Sequence, residues 1–254
     1  MAVIIKGKLI SEKHPLVCVP IMEKTREEIL SQARDLSELG VEMLEWRADA
    51  YEDLFDTEKV REILEIMRPM TKETVLLVTV RSKTQGGLCD AAPSDIANLL
   101  VSMSAVHAAD MFDVEFFTFE KPERLIKKLQ ERGAMVISSH HDFDETPSVD
   151  VMHTLLSQMR EGDADLLKLA VMPKNVSDVL SLLQVTADFH QKDPSIPLIT
   201  MSMGKLGMMS RISGEIFGSC ITFGTVGKPS APGQMPWEEM KQILGMIHRY
   251  YGED

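Results

Sequence analysis

The sequence predicts one α/β domain of the (β/α)₈ barrel class, and three observations support this prediction. Eight short apolar runs recur along 254 residues, and each is followed by a segment with helical spacing. Most runs are rich in aliphatic and β-branched residues, which is typical of parallel strands buried on both faces. Eightfold βα alternation in about 250 residues fits a single barrel over 1–254, and an open doubly wound sheet is the alternative.

The predicted elements follow in order along the chain. The strand candidates are 16–22, 41–47, 74–81, 110–116, 134–139, 166–171, 197–203 and 219–224. The first helix is predicted to follow Thr25, because Glu28 completes a capping box, and to end at Gly40. The other helices are predicted near 57–68, 93–109, 121–132 and 148–160, after Asn175, at 206–217, and from Pro236 to about Tyr250. Segment 3–10 is predicted to form a short β-hairpin that closes the bottom of the barrel.

Composition argues against several classes of protein. A net charge of −12 disfavours binding to nucleic acids or anionic membranes. No run approaches the roughly 18 apolar residues of a membrane span, and the first residues lack the pattern of a signal peptide. Cys18, Cys89 and Cys220 are odd in number and far apart, so neither a disulfide framework nor a metal ligand set is expected. We therefore expect a cytoplasmic protein.

Lys168 is alone in the apolar run 166–171. An ammonium there is costly to bury unless it pairs, or unless it loses its proton and can react. A lone amine in a buried strand is what an enzyme needs to form a Schiff base with a ketone. A packed lysine near a strand end, with its charge in water, is the structural alternative.

Other polar residues gather at the ends of the predicted strands, where a barrel places its active site. Each has a structural alternative, such as an ion pair between Glu45 and Arg47, or pairing of Asp113 and Glu115 with Arg81 or Arg47. Structural roles alone do not predict that all of these residues should share one end of a sheet, so together they indicate a reaction site. The candidates are Glu45, Arg47, Arg81, Asp113, Glu115, His140, His141, Lys168, Ser202, Arg211, Ser230 and Gln234.

These residue types support one coherent chemistry. An imine on Lys168 would act as an electron sink and acidify the neighbouring C–H bond. A histidine could remove that proton and return it to a leaving hydroxyl, oriented by Asp113 or Glu115. An arginine fork suits a substrate carboxylate, and Glu45 suits hydroxyl groups. Glycines in the loops after the last two strands give weaker support to a phosphorylated substrate.

Six motifs, in order and nearly end to end, resemble the type I 3-dehydroquinate dehydratases of the shikimate pathway. They are Glu45-Trp46-Arg47, Arg81 with Gly86-Gly87, Ser139 to Phe143, Lys168 to Pro173, Met203-Gly204 leading to Ser210-Arg211, and Ser230 to Gln234. The resemblance implies a barrel, usually a homodimer, that needs no metal or organic cofactor. It also implies syn elimination of water from 3-dehydroquinate to give 3-dehydroshikimate, with no nucleic-acid or membrane partner.

The resemblance implies a role for each matching position. Lys168 would form the imine, and His141, rather than His140, would be the general acid and base. The other six positions would bind substrate. The substrate carboxylate would be bound by Arg211, Ser230 and Gln234, and the ring hydroxyls by Glu45, Arg47 and Arg81. The loop that carries Ser230 and Gln234 would close over the substrate as a lid.

Two departures and two rival functions accompany this reading. Gln85 precedes the Gly-Gly pair where many members have a glutamate, so Gln85 is given no role in proton transfer. Pro20 ends the first strand where some members have a serine, so no contact is expected there. A Schiff-base aldolase would share Lys168 but break a C–C bond, and a catalytically inactive barrel would only bind metabolites or proteins.

Overall fold

The computed structural model describes residues 3–227 and 231–252. Its strands are β1 Val3–Ile5, β2 Lys8–Ile10, β3 Leu16–Ile21, β4 Met43–Arg47, β5 Val75–Thr79, β6 Met111–Glu115, β7 Met135–Asp142, β8 Leu166–Val171, β9 Leu198–Ser202 and β10 Ile221–Phe223. Its helices are α1 Arg26–Glu38, α2 Thr57–Met70, α3 Pro93–Ser104, α4 Pro122–Gln130, α5 Val149–Glu161, α6 Val176–Lys192, α7 Met208–Ile212, α8 Gly214–Phe217 and α9 Trp237–Tyr251.

The strand order confirms the predicted barrel topology. The eight-stranded sheet has the order β10-β3-β4-β5-β6-β7-β8-β9, so the last strand pairs with the first strand of the βα repeat. The bridge Leu198↔Ser219 connects β9 with the segment that enters β10. A doubly wound sheet reverses its strand order at a switch point, and this sheet does not. The predicted hairpin is confirmed as the antiparallel pair β1 and β2.

Contacts between Cα atoms divide the described residues into two compact units. The first unit comprises the described residues of 1–19, 140–161 and 166–254, and it contains the parallel pairs β10–β3 and β8–β9. The second unit comprises Pro20–Ser139 and Gly162–Asp165, and it contains the parallel pairs β4–β5, β5–β6 and β6–β7. That the whole of 1–254 is one domain stays a prediction.

Local signals account for the ends of several helices. Thr25 accepts a hydrogen bond from the backbone N–H of Glu28, and the Glu28 carboxylate accepts one from the backbone N–H of Thr25, as the capping box predicts. Asn175 caps α6 in the same way, with Asp178 as its partner. Pro236 is the residue before α9, as expected for a proline at a helix start. None of the helices in 3–227 and 231–252 is both long and apolar enough to span a membrane.

Three elements differ from the sequence prediction. Helix α3, predicted at 93–109, ends at Ser104. Strand β7 continues to Asp142, so His140 and His141 lie on the strand rather than in the loop after it. The predicted helix at 206–217 is two short helices, α7 and α8, which meet at Ser213. At this break Gly214 lies against Ser219, where an added Cβ would be 2.5 Å from the carbonyl oxygen of Ser219, a long-range contact that helical spacing does not reveal.

Candidate active site

In the second unit, Glu45 and Arg47 are at the end of β4. Glu45 is buried and accepts a hydrogen bond of 2.8 Å from Thr79 Oγ1 on β5. The ion pair between Glu45 and Arg47 that the sequence left open stays a prediction. The hydrogen-bond partner of the Arg47 guanidinium is Asp49, through two hydrogen bonds of 2.8 Å, from Nε to Oδ1 and from Nη2 to Oδ2. Burial alone would lower the pKa of Arg47, but the hydrogen bonds and charge of Asp49 raise it overall.

Arg81 lies in a buried cluster of carboxylates. Its Nη2 is 2.8 Å from Asp113 Oδ2, and its Nη1 is 3.1 Å from Glu115 Oε1. Ser139 donates to Asp113 Oδ1 at 2.6 Å and accepts from Arg81 Nη1. Burial alone would lower the pKa of Arg81, but the charges of Asp113 and Glu115 raise it. The alternative in which these two acids pair with Arg81 is therefore confirmed.

Glu115 is fully engaged within its own unit. It also accepts hydrogen bonds from the backbone N–H and the hydroxyl of Ser82, and from Thr118 Oγ1. Gln85 Nε2 donates to the same Thr118 hydroxyl at 3.1 Å. These contacts show Glu115 anchoring the loop after β5, so they give no support to the expectation that Glu115 orients a histidine.

The Gly86-Gly87 pair shapes that loop. A Cβ on Gly87 would lie 2.1 Å from the carbonyl oxygen of Arg81, so only glycine permits this approach. The backbone N–H of Gly87 donates to the carbonyl of Ser82 at 2.8 Å. The motif therefore turns the chain tightly back against the end of β5.

We expect Arg81→Met to destabilise the protein by about 3–5 kcal/mol, because it deprives two buried carboxylates of their shared cation. Urea denaturation at pH 7 would measure the change in free energy of unfolding. Arg26→Met is the control: Arg26 pairs with Glu62 at the surface, where an ion pair contributes about 0–1 kcal/mol. Equal small losses for the two variants would show that the Arg81 cluster does not hold the fold.

In the first unit, Lys168 is on β8 and is only 4% exposed. Its Nζ lies 4.4 Å from the centroid of the Phe223 ring, which is on β10. The structural alternative, in which Lys168 packs its stem near a strand end and keeps its charge in water, is therefore wrong. Strand β7, which carries His141, is the neighbour of β8 in the sheet, and His141 belongs to the same unit as Lys168.

Arg211 is also in the first unit, on α7, and is 1% exposed. Its Nη2 donates to the carbonyl oxygen of Pro232 at 3.0 Å, and its Nη1 lies 3.8 Å from Met201 Sδ. No carboxylate of the residues in 3–227 and 231–252 is within 4.0 Å of it. Burial lowers the pKa of Arg211 to about 10, so the guanidinium keeps its charge at neutral pH.

The backbone around Arg211 is held by its own motif. Ser210 Oγ accepts a hydrogen bond from the N–H of Ser202 at 2.8 Å and donates to the carbonyl of Gly207 at 2.7 Å. A Cβ on Gly207 would lie 1.9 Å from the carbonyl oxygen of Ser202, so glycine is needed there. These contacts attach α7 to the end of β9 and account for the spacing from Met203 to Arg211.

The loop after β10 is described in part. Ser230 lies outside the described residues. The carbonyl of Pro232 accepts from the N–H of Gly204 at 3.1 Å as well as from Arg211. Gln234 Oε1 accepts from the N–H of Ala231 at 3.3 Å. That this loop acts as a lid stays a prediction.

The three arginines thus differ in how their charge is balanced. Arg47 forms an ion pair with Asp49, Arg81 forms ion pairs with Asp113 and Glu115, and Arg211 contacts a carbonyl oxygen and a sulfur. A buried cation without a carboxylate is unfavourable in the free protein and suited to an anionic ligand. The sequence could not distinguish these three environments.

Sequence analysis did not select Asp49, whose side chain is fully buried. It lies in a short 3₁₀ turn two residues after Arg47, beyond the end of β4. The Arg-x-Asp spacing was the available signal, but spacing alone does not show whether an acid and an arginine are buried. Ser139 was noted within a motif, but its place between Arg81 and Asp113 was not predicted.

The fold and these buried ionisable residues define an enzyme of the (β/α)₈ barrel class. The family model described as type I 3-dehydroquinase matches residues 17–251, and the chain belongs to this family. Enzymes of this family are hydro-lyases.

Individual relatives agree with this assignment. The 3-dehydroquinate dehydratase of Clostridium botulinum (strain Eklund 17B / Type B) is 39% identical over 245 residues, which cover 96% of each chain. The solved 3-dehydroquinate dehydratase of Geobacillus kaustophilus HTA426 is 31% identical with a TM-score of 0.95, covering 99% of this chain and 98% of that one. The type I enzyme of Clostridium difficile is 35% identical with a TM-score of 0.94, covering 98% of each chain.

Proposed function

We propose that this protein eliminates water from 3-dehydroquinate to give 3-dehydroshikimate, through a Schiff base on Lys168, in the shikimate pathway to aromatic amino acids. The observation that carries the proposal is the burial of Lys168, at the imine position of the family motif, against the face of Phe223. An aromatic face favours positive charge at that nitrogen, which a protonated imine carries.

The first step joins the enzyme to its substrate. The neutral amine of Lys168 adds to the ketone carbon, the carbonyl oxygen leaves as water, and the imine nitrogen takes up one proton from solvent to give a protonated imine. The imine withdraws electrons from the neighbouring carbon, so its C–H bond becomes acidic. Burial of Lys168 keeps bulk water away from the new carbon–nitrogen bond.

His141 acts as general base and then as general acid. It removes the proton next to the imine, and the resulting enamine expels the hydroxyl one carbon further on, which takes the same proton and leaves as water. Hydrolysis of the imine releases the conjugated ketone and restores Lys168. Proton removal and return by one group on one face account for syn elimination.

Substrate recognition is divided between charge and hydrogen bonding. Arg211 binds the carboxylate, helped by Ser230 and Gln234, because its buried charge has no carboxylate partner in the described residues. Glu45, Arg47 and Arg81 serve the ring hydroxyls. The charges of the two arginines are already balanced, Arg47 by Asp49 and Arg81 by Asp113 and Glu115. This balance favours neutral hydroxyl oxygens of the substrate over its carboxylate.

One relative supports a proposal of covalent chemistry. The C. difficile enzyme was solved with covalently modified comenic acid. We extend the proposal to a cytoplasmic homodimer that works without a metal or organic cofactor.

One ultraviolet assay tests the function. Incubation of the protein with 3-dehydroquinate should produce the absorbance of a conjugated enone, in proportion to enzyme concentration. No absorbance change would overturn the proposal and leave an inactive barrel. Cleavage to smaller carbonyl compounds, detected by mass spectrometry, would instead indicate an aldolase.

We expect His141→Ala to lower kcat by about 10²–10⁴-fold, because it removes the group that moves the proton. The imine should still form, and borohydride reduction in the presence of substrate should still add mass to the protein. His153→Ala is the control, since His153 lies on the surface of α5 near Asp188. Turnover of His141→Ala near the wild-type rate would exclude His141 as the base.

A further inference from the structure

We infer that Asp49 is a positioning residue for substrate binding, acting through Arg47. This inference rests on the proposed function, because it assigns Asp49 to the recognition of the same substrate hydroxyls. Asp49 is not among the positions that the resemblance implied. All contacts in the argument lie within the second unit.

Asp49 is held by backbone on one side. Its Oδ1 accepts from the N–H of Arg81 at 3.2 Å, and its Oδ2 accepts from the N–H of Leu88 at 3.1 Å. These two amides are at the start and near the end of the loop shaped by Gly86-Gly87. Because backbone amides in such a turn move little, they fix the plane of the carboxylate.

Asp49 in turn holds Arg47. Each carboxylate oxygen accepts one hydrogen bond of 2.8 Å from the guanidinium, on its Nε and Nη2 edge. The opposite group, Nη1, has only a long contact of 3.9 Å to Met22 Sδ among the residues that the structure describes. Asp49 therefore fixes the plane of Arg47 and directs the less engaged Nη1 donors to a substrate oxygen.

Each carboxylate oxygen of Asp49 accepts two hydrogen bonds, so the site requires an acceptor at both positions. Burial alone would raise the pKa of Asp49, but the hydrogen bonds and charge of Arg47 lower it. An asparagine has one acceptor and one donor end. Whichever way it turns, its amide N–H₂ faces two donors, either Arg47 Nε with the Arg81 amide or Arg47 Nη2 with the Leu88 amide.

The test compares KM and kcat for 3-dehydroquinate in Asp49→Asn and wild type. We expect KM to rise about 10- to 100-fold while kcat changes less than about threefold, because positioning of a binding group affects ground state and transition state alike. Asp53→Asn is the matched control: Asp53 pairs with Lys59 at the surface, and its KM should match that of wild type. Borohydride trapping at saturating substrate should be complete in both.

A double-mutant cycle separates positioning from a general structural role. On an Arg47→Met background, adding Asp49→Asn should raise KM by less than about twofold, because the group it positions is gone. The same 10- to 100-fold factor on that background would overturn the inference. If Asp49→Asn does not fold by circular dichroism, Arg47→Lys provides the second test. It keeps the charge but loses the two-point fork, so its KM should rise comparably, and a wild-type KM would overturn the inference.

Failure of this inference is distinguishable from failure of the proposed function. No enone from the wild-type protein would refute the function itself. An active wild type with an unchanged KM in Asp49→Asn would refute only the role of Asp49.

Discussion

Lys168→Ala should lower kcat by at least about 10⁴-fold and abolish the covalent adduct that borohydride traps in wild type with 3-dehydroquinate. The amine supplies the bond through which the substrate becomes an electron sink, and no other side chain can replace it at that position on β8. Intact-protein and peptide mass spectrometry would place the wild-type adduct on Lys168.

The control for this experiment is Lys174→Ala. Lys174 lies six residues further along the chain, is exposed, and pairs with Glu145 at 3.3 Å. Its loss should leave turnover and trapping unchanged. An adduct on a different lysine, or an unmodified Lys168 in active wild-type protein, would refute the Schiff-base mechanism.

Arg211→Met should raise KM for 3-dehydroquinate by about 10²–10³-fold without destabilising the fold. Loss of one partner of a buried, hydrogen-bonded charge pair costs about 2–5 kcal/mol of binding. Methionine keeps an apolar stem of similar length beside Met201 but cannot bind a carboxylate. Steady-state kinetics at saturating and limiting substrate would measure the change.

The expected effect of Arg211→Met on stability follows from the linkage between proton binding and folding. The pKa of Arg211 in the folded protein, about 10, is below its ordinary value because of burial. The unfolded state therefore holds this proton more tightly, so burial of the charge destabilises the folded protein at every pH below about 10. Removing the charge should leave the free energy of unfolding unchanged or raise it by up to about 2 kcal/mol.

Arg211→Met and Arg81→Met thus form an informative pair in urea denaturation. The same chemical change should destabilise the protein at Arg81, where it leaves two carboxylates without their cation, and should not do so at Arg211. A loss of several kcal/mol at Arg211 would show that its charge is balanced within the protein, which would contradict a role in binding a substrate anion.

Local order in the fold could be predicted because its causes are local. The capping residues Thr25 and Asn175 and the apolar run around Lys168 act over a few residues. The extension of β7 through His141 could not be predicted, because the tendency of polar residues to continue a strand depends on their surroundings in the sheet. The break between α7 and α8 lies beside a close approach of Gly214 to Ser219, which the helical pattern of 206–217 does not reveal.

The sequence by itself determined the order of strands and helices, the family, and the residue types available for chemistry, because hydrophobic periodicity and motif spacing are written along the chain. Only the tertiary structure decided which carboxylate balances which arginine. Arg47 pairs with Asp49, Arg81 pairs with Asp113 and Glu115, and Arg211 has no such partner within the described chain. The physical reason is that the energy of a charge depends on burial and on separations of a few ångströms, which sequence spacing does not specify.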